Sequence, residues 1–169
     1  MKQYLTHCIL AASAALAPAL ASAKVLGSGT FGGWNDIALY PGQSLLAVGR
    51  DQNGNAQQQL LVKAAKAGTY LLTYNATCFV QSSGNYTGSG VNIIVEVLVN
   101  GTAVTNQTDD YMCGGNSDSY SWGTPKHRTS LVIPVTLNAG VNTITLTGQV
   151  VGSPALAGYL GHSHITVSD

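Results

Sequence analysis

Asn92-Ile93-Ile94-Val95-Glu96-Val97-Leu98-Val99-Asn100-Gly101-Thr102 decides the fold class. Ile93, Val95, Val97 and Val99 recur at every second residue, the period that puts side chains on one face of a strand. Asn100-Gly101 follows at once. These residues tolerate positive φ at both central positions of a type I′ turn, so the chain is expected to reverse there and Thr102–Gln107 to run back antiparallel.

The same period extends outward in both directions. Upstream, a long strand opens at Gly68, with Tyr70, Leu72, Tyr74, Ala76 and Cys78 on one face and Leu71, Thr73, Asn75 and Thr77 on the other. Downstream, Arg128–Leu137 places Leu131, Ile133, Val135 and Leu137 inward and Ser130, Val132 and Thr136 outward. Pro134 joins the outward set; lacking an N–H, it predicts an edge strand or a bulge. Asn138-Ala139-Gly140 reads as a turn. Val141–Val151 then sets Ile144, Leu146, Gly148 and Val150 against Thr143, Thr145 and Thr147. The last strand, His164–Val167, turns Ile165 and Val167 inward. Shorter strands are expected at Ser44–Val48 and Gln57–Val62. Leu60–Ala67, stopped by Gly68, is the best helical stretch, but its Val and Leu suit a strand equally. About eight to ten short strands, each with one apolar face, predict an all-β, antiparallel, jelly-roll-like sandwich.

Composition narrows the function. Of 169 residues, 8% are charged and the formal net charge is +0. A nucleic-acid binder normally shows a basic footprint, and none is present. A hydrophobic share of 45% excludes a disordered chain. Residues 1–23 read as a secretory signal peptide: Lys2, an apolar run from Cys8 to Leu20, and Ala21-Ser22-Ala23 before the cut. That run is shorter than a membrane span, and no later segment is long and apolar enough for one. Residues 24–169 are then expected to form a single domain, secreted to the extracellular space or the periplasm. Removing Lys2 leaves six basic residues against seven acids, a formal charge of −1. In an oxidising compartment Cys78 and Cys113 are expected to pair, closing a loop of about 36 residues worth roughly 3.5–4 kcal/mol. Free thiols or a metal pair are the alternatives, and the wide spacing suits zinc poorly.

Candidate chemistry gathers in two long loops, Gln81–Gly90 and Thr108–Pro125. Loops of the second one's length are usually functional or disordered. Tyr111, Tyr120 and Trp122 offer flat rings to pyranose faces, while Asp109, Asp110, Asn116 and Asp118 accept hydroxyl hydrogen bonds. The competing reading has the rings covering the open end of the sandwich and the acids facing water. Asp109, Asp110, Asn116 and Asp118 could also supply half a calcium shell, although their spacing does not fit an EF-hand.

His162-x-His164 would share one strand face, and His127 from another strand would complete a zinc or copper site. The competing reading is a solvent-facing pair. The chain reads as a non-enzyme: Glu96 is its only Glu, Asp109 and Asp110 diverge in an extended chain, and no G-x-S-x-G elbow occurs. Four N-x-Thr matches begin at Asn75, Asn85, Asn100 and Asn106.

Gly68-Thr69-Tyr70-Leu71-Leu72-Thr73-Tyr74 resembles the G-x-Y-x-[FL]-x-[YF] strand of the tumour necrosis factor and complement globular-head jelly rolls. Val99-Asn100-Gly101 is similar to their hairpin. Ser130–Leu146, with Leu137-Asn138-Ala139-Gly140, is similar to their strand pair joined by an L-x-x-G turn. The likeness runs from Gly68 to Val167 and departs at Gly158-Tyr159-Leu160-Gly161. It implies a ten-stranded jelly roll, trimers and extracellular ligand recognition. Secreted carbohydrate-binding β-sandwiches have similar strands. Three functions follow. The first is a recognition module holding a glycan or an extracellular protein ligand through Thr108–Pro125. The second is a structural subunit of an extracellular assembly or filament, since few charges guard the strand edges. The third is a metal protein using His127, His162 and His164.

Overall fold

The computed structural model describes residues 23–33, 37–40, 42–82, 91–104, 111–115, 127–151 and 155–169. These residues form thirteen strands: β1 (Val25–Phe31), β2 (Ile37–Leu39), β3 (Ser44–Leu45), β4 (Gly49–Arg50), β5 (Ala56–Gln57), β6 (Leu60–Ala64), β7 (Gly68–Ser82), β8 (Val91–Val99), β9 (Thr102–Ala103), β10 (Tyr111–Gly115), β11 (His127–Leu137), β12 (Gly140–Val151) and β13 (Ala155–Ser168). Every pairing is antiparallel. The open choice at Leu60–Ala67 resolves to strand.

Two sheets face each other. One has the order β1-β13-β7-β11, with β2 on the end of β13; the other runs β10-β8-β12-β3, with β6 also on β12 and β9 on β8. The eight longer strands pair from the outside inward: β1 with β13, β6 with β12, β7 with β11 and β8 with β10. One long antiparallel ribbon has rolled up so that successive pairs alternate between sheets, which is the jelly-roll arrangement.

The alternation read from sequence fills the core. Ile93, Val95, Val97 and Val99 from one sheet meet Leu72, Tyr74, Ala76 and Cys78 from the other, all at most 6% exposed. Gly158 marks a tight approach of the sheets, since a Cβ there would lie 2.6 Å from Ile93 Cδ1. Asn100 (φ 51°) and Gly101 (φ 82°) both hold the left-handed conformation of the expected turn. Their loop is fastened to the next one. The fully buried Asn142 accepts from Asn100 Nδ2 at 2.9 Å and from the Asn138 N–H at 3.0 Å, and donates to the Asn138 carbonyl at 2.8 Å. Asn100 Oδ1 in turn accepts from the Thr143 N–H at 2.9 Å.

Several expectations are corrected. Pro134 does sit on an edge strand, because among the described residues β11 ends its sheet. But β11 and β12, joined by the Asn138–Gly140 turn, do not pair; they lie in opposite sheets, and the turn is a crossover. Ser44–Val48 is a strand only at Ser44–Leu45; Leu46–Val48 dives inward and is buried. Its path requires Gly29, where a Cβ would lie 2.0 Å from the Val48 carbonyl oxygen. Thr108–Pro125 is not all loop, because Tyr111–Gly115 forms β10 on the open edge of β8, with Met112 in the core. An unpaired edge of β8 would leave backbone groups without partners, and β10 supplies them.

Candidate functional site

Most of the residues singled out from sequence have no described side chain. Asp109, Asp110, Asn116, Asp118, Tyr120 and Trp122 lie outside the described residues, as do the side chains of Tyr111, Cys113 and His127. The backbones of His127 and Cys78 are paired on β11 and β7, and Cys78 also pairs with Leu160 on β13. Strand β7 therefore separates β11 from β13, a gap of two strand spacings or about 10 Å.

The expected face-sharing of His162 and His164 is also corrected. A bulge between Gly161 and His164 inserts a residue, and His162 takes φ 46°. Burial changes phase across it, from Leu160 to Ile165. The bulge is tied to the end of β1, with His162 N–H donating to the Gly33 carbonyl at 2.9 Å and Ser163 Oγ donating to the Phe31 carbonyl at 3.1 Å. His164 faces outward, where its Nδ1 and Nε2 are hydrogen-bonded to Thr30 Oγ1 at 3.0 Å and Thr166 Oγ1 at 2.8 Å. Among the described residues, no three His, Cys, Asp or Glu side chains gather as a metal site. Glu96 lies half-buried on the outer face and accepts from Gln43 Nε2 at 3.0 Å.

A cavity forms where the sequence reading placed none. Strand β12 is longer than either of its partners on one side. It pairs with β6 over Gly140–Ile144 and with β3 at Thr147–Gly148. The two short strands part at Thr145 and leave a notch of about 640 Å3, walled by Leu45, Leu60 and Leu61, floored by Thr145 and rimmed by Gln57, Gln58 and Gln59. That volume falls in the range of about 300–1,000 Å3 usual for small-molecule sites. A smaller recess of about 280 Å3 adjoins it across Gln57, Gln59 and Leu60 and is bordered by Ser28, Thr30 and Arg50.

Both hollows lie along one seam. Strand β1 is the edge of its sheet, and β6 passes beside it: a Cβ on Gly27 would lie 3.1 Å from Val62 Cγ2. Arg50 is held in place at the seam. Its guanidinium lies 4.7 Å from the centre of the Phe31 ring, and Nη1 donates to the Gly54 carbonyl at 2.8 Å. The loop behind it is closed by Asp51, whose Oδ1 accepts from the N–H groups of Asn53 and Asn55 at 2.8 Å each. The Asn55 side-chain amide, first, and these backbone donors hold the Asp51 carboxyl below the usual carboxylate range.

The larger notch is chemically neutral. Among the described residues its lining contains no carboxyl, imidazole or thiol. It offers three amides, each both donor and acceptor, one hydroxyl and apolar walls. The signal in sequence was the run Gln57-Gln58-Gln59 between turn residues and Leu60-Leu61, which reads as an ordinary polar loop until β12 is seen behind it.

No protein-family model matches the chain, and no curated protein sequence matches it. Solved structures similar to it include CBM35 from Paenibacillus barcinonensis, at 17% identity over 88% of this chain and 94% of that one, with a TM-score of 0.35. A family 35 carbohydrate binding module from an environmental isolate has 18% identity over 86% and 88%, with a TM-score of 0.37. Eiger TNF from S. frugiperda has 11% identity over 86% and 92%, with a TM-score of 0.35. These belong to the two groups that the strand motifs resemble. At such scores the likeness lends nothing to the choice of ligand, which is read from the cavity alone.

Proposed function

We propose that the chain is an exported, non-catalytic recognition module that binds a neutral glycan in the notch between β3 and β6. The single observation behind this is the lining: amides and a hydroxyl on leucine walls, with no ionisable group among the described residues. Vicinal sugar hydroxyls pair with amides, which give and accept at once, while pyranose C–H faces rest on apolar side chains. Residues 24–169 form one domain in this reading, released by cleavage before Lys24. A Cys78–Cys113 bridge belongs to it as well. Cys78 is 2% exposed on the inner face of β7, and the β10 backbone that carries Cys113 lies in the facing sheet. The aromatic and acidic stretch Thr108–Pro125 is a second contact surface, and an extracellular protein is the alternative ligand.

A glycan array on the purified chain, read with Gln58→Ala/Leu61→Ser and with Trp122→Ala/Asp118→Ala, tests the reading. Binding to a neutral oligosaccharide that falls about tenfold in the first variant supports it, since two lost contacts are worth about 1–2 kcal/mol. Loss in the second variant alone moves the site to Thr108–Pro125, and no glycan bound at all ends the reading.

A second reading, an assembly subunit, has one observation in its favour. Strand β11 is an edge, its Leu131–Leu137 stretch carries no charge, and Val132 is 53% exposed. Size-exclusion chromatography and electron microscopy test it, with filaments dispersed by Val132→Lys as the supporting result and a monomer as the opposing one.

A further inference from the structure

The seam between β1 and β6 does not end at the glutamine notch. Three residues beyond Leu60, about 10 Å along a strand, it opens into a cleft of about 520 Å3 that includes Lys24, Leu26, Lys63, Lys66, Tyr70 and Asp169. Only six basic residues follow position 23, and three of them meet here. The one acidic side chain in the lining among the described residues, Asp169, accepts from the Lys24 N–H. Among the described residues, no carboxylate pairs with the ammonium of Lys63 or Lys66. Tyr70 Oη donates to the Lys66 carbonyl at 2.8 Å and so fixes the turn that presents Lys66.

In a protein this poor in charge, three lysines against one acidic side chain leave the hollow's lining with a net positive charge. A concave, low-dielectric wall concentrates the field of that charge. The cations are lysines, with no arginine among them. Lysine acts as a separate point charge and in that form is a common partner of phosphate oxygens. Three point charges around one hollow suit a tetrahedral oxyanion, which presents oxygens in several directions.

We propose that this cleft is an anion subsite of the same seam, holding a sulfate or phosphate ester carried by an extended glycan whose neutral rings lie in the glutamine notch. It rests on the glycan reading for the rest of the ligand, but the lysine cleft has its own chemistry and its own test. Its attraction to the ester is partly exposed to water and so weakens with salt over a Debye length of about 8–10 Å at ordinary ionic strength.

Isothermal titration of the purified chain tests this with chondroitin sulfate, chemically desulfated chondroitin, a phosphomannan and a neutral oligosaccharide. The same probes are run on Lys63→Ala/Lys66→Ala and on Lys63→Arg/Lys66→Arg. Both side chains are exposed, and circular dichroism and Tm confirm that each variant folds. The expected result is tighter binding of the sulfated or phosphorylated probe than of its unesterified counterpart. The alanine pair should cut that preference about tenfold or more, the arginine pair should keep it, and neutral binding should be unchanged. The two ester sources separate by which probe shows the preference. Equal affinity for sulfated and desulfated chondroitin, or a preference untouched by the alanine pair, overturns the proposal. Esterified probes bound through the lysines with no neutral binding would uphold the anion subsite and reject the neutral-glycan notch. Neutral binding with no ester preference does the reverse.

Discussion

Asn142 has no exposure and still satisfies its amide, because two loops close around it. Asn142→Ala strands the Asn138 N–H and carbonyl and frees Asn100, and should cost about 2–4 kcal/mol in urea unfolding. The same knot occupies Asn100 Nδ2, so Asn100 fits its N-x-Thr match poorly as a glycan acceptor. Tyr74 is the opposite case. Its side chain is fully buried, and among the described residues its hydroxyl has no hydrogen-bond partner of proper geometry. Burial pushes its pKa up to about 12 from 10.0, and the nearby Ser163 hydroxyl offsets only part of this. The folded chain therefore keeps a proton that the unfolded chain releases. Stability is whole below pH 10 and falls as pH rises towards 12, at about 1.4 kcal/mol per unit. Tyr74→Phe should be neutral or stabilising near pH 7 and should remove that alkaline slope; a slope that survives the substitution contradicts the assignment. Glycines differ by what lies opposite. A Cβ on Gly29 meets a backbone oxygen at 2.0 Å, while one on Gly148 meets the end of Leu46 at 2.9 Å. Thermal unfolding should show Gly29→Ala as the costlier change, since a leucine can turn and a carbonyl held between strands cannot.

Whether an element could be read in advance depended on its period. Over their described side chains β7, β11 and β12 alternate without a break, and β8 does so apart from Ile94, so the strands and most of their buried positions were legible. Both faces of β7 are partly apolar at its start, which left its orientation open. In β13 the bulge at Gly161–His164 shifts the phase by one residue, and no local feature of Gly-His-Ser-His announces it. Strand β10 was hidden by its Gly114-Gly115 end, which has the composition of a loop. The crossover at Asn138–Gly140 was hidden too, because a turn's residues fix its bend and not the sheet that the next strand enters. The notch is illegible for a related reason. It exists because β12 outruns β6 and β3, a matter of relative length that no window of sequence contains. On β11, Pro134 removes one N–H from the exposed edge. Pro134→Thr should therefore raise self-association in sedimentation runs while altering stability by about 1 kcal/mol or less; an unchanged sedimentation profile would mean the edge is covered by something else.

On the scale of the whole molecule, the jelly roll sets β1 and β6, edges of opposite sheets, side by side. Their seam carries both hollows, the neutral one at Gln57–Gln59 and the cationic one at Lys63–Lys66. A long ligand can lie along it without entering the core, so the fold need not move to bind. Titrating the isotopically labelled chain with a neutral oligosaccharide chosen from the array, and following backbone amide shifts, tests the central claim most directly. The account expects the largest shifts at Leu45, Gln57–Leu61 and Thr145, with the core of β7 and β8 unmoved. Shifts confined to residues 108–125, with that notch silent, would contradict it.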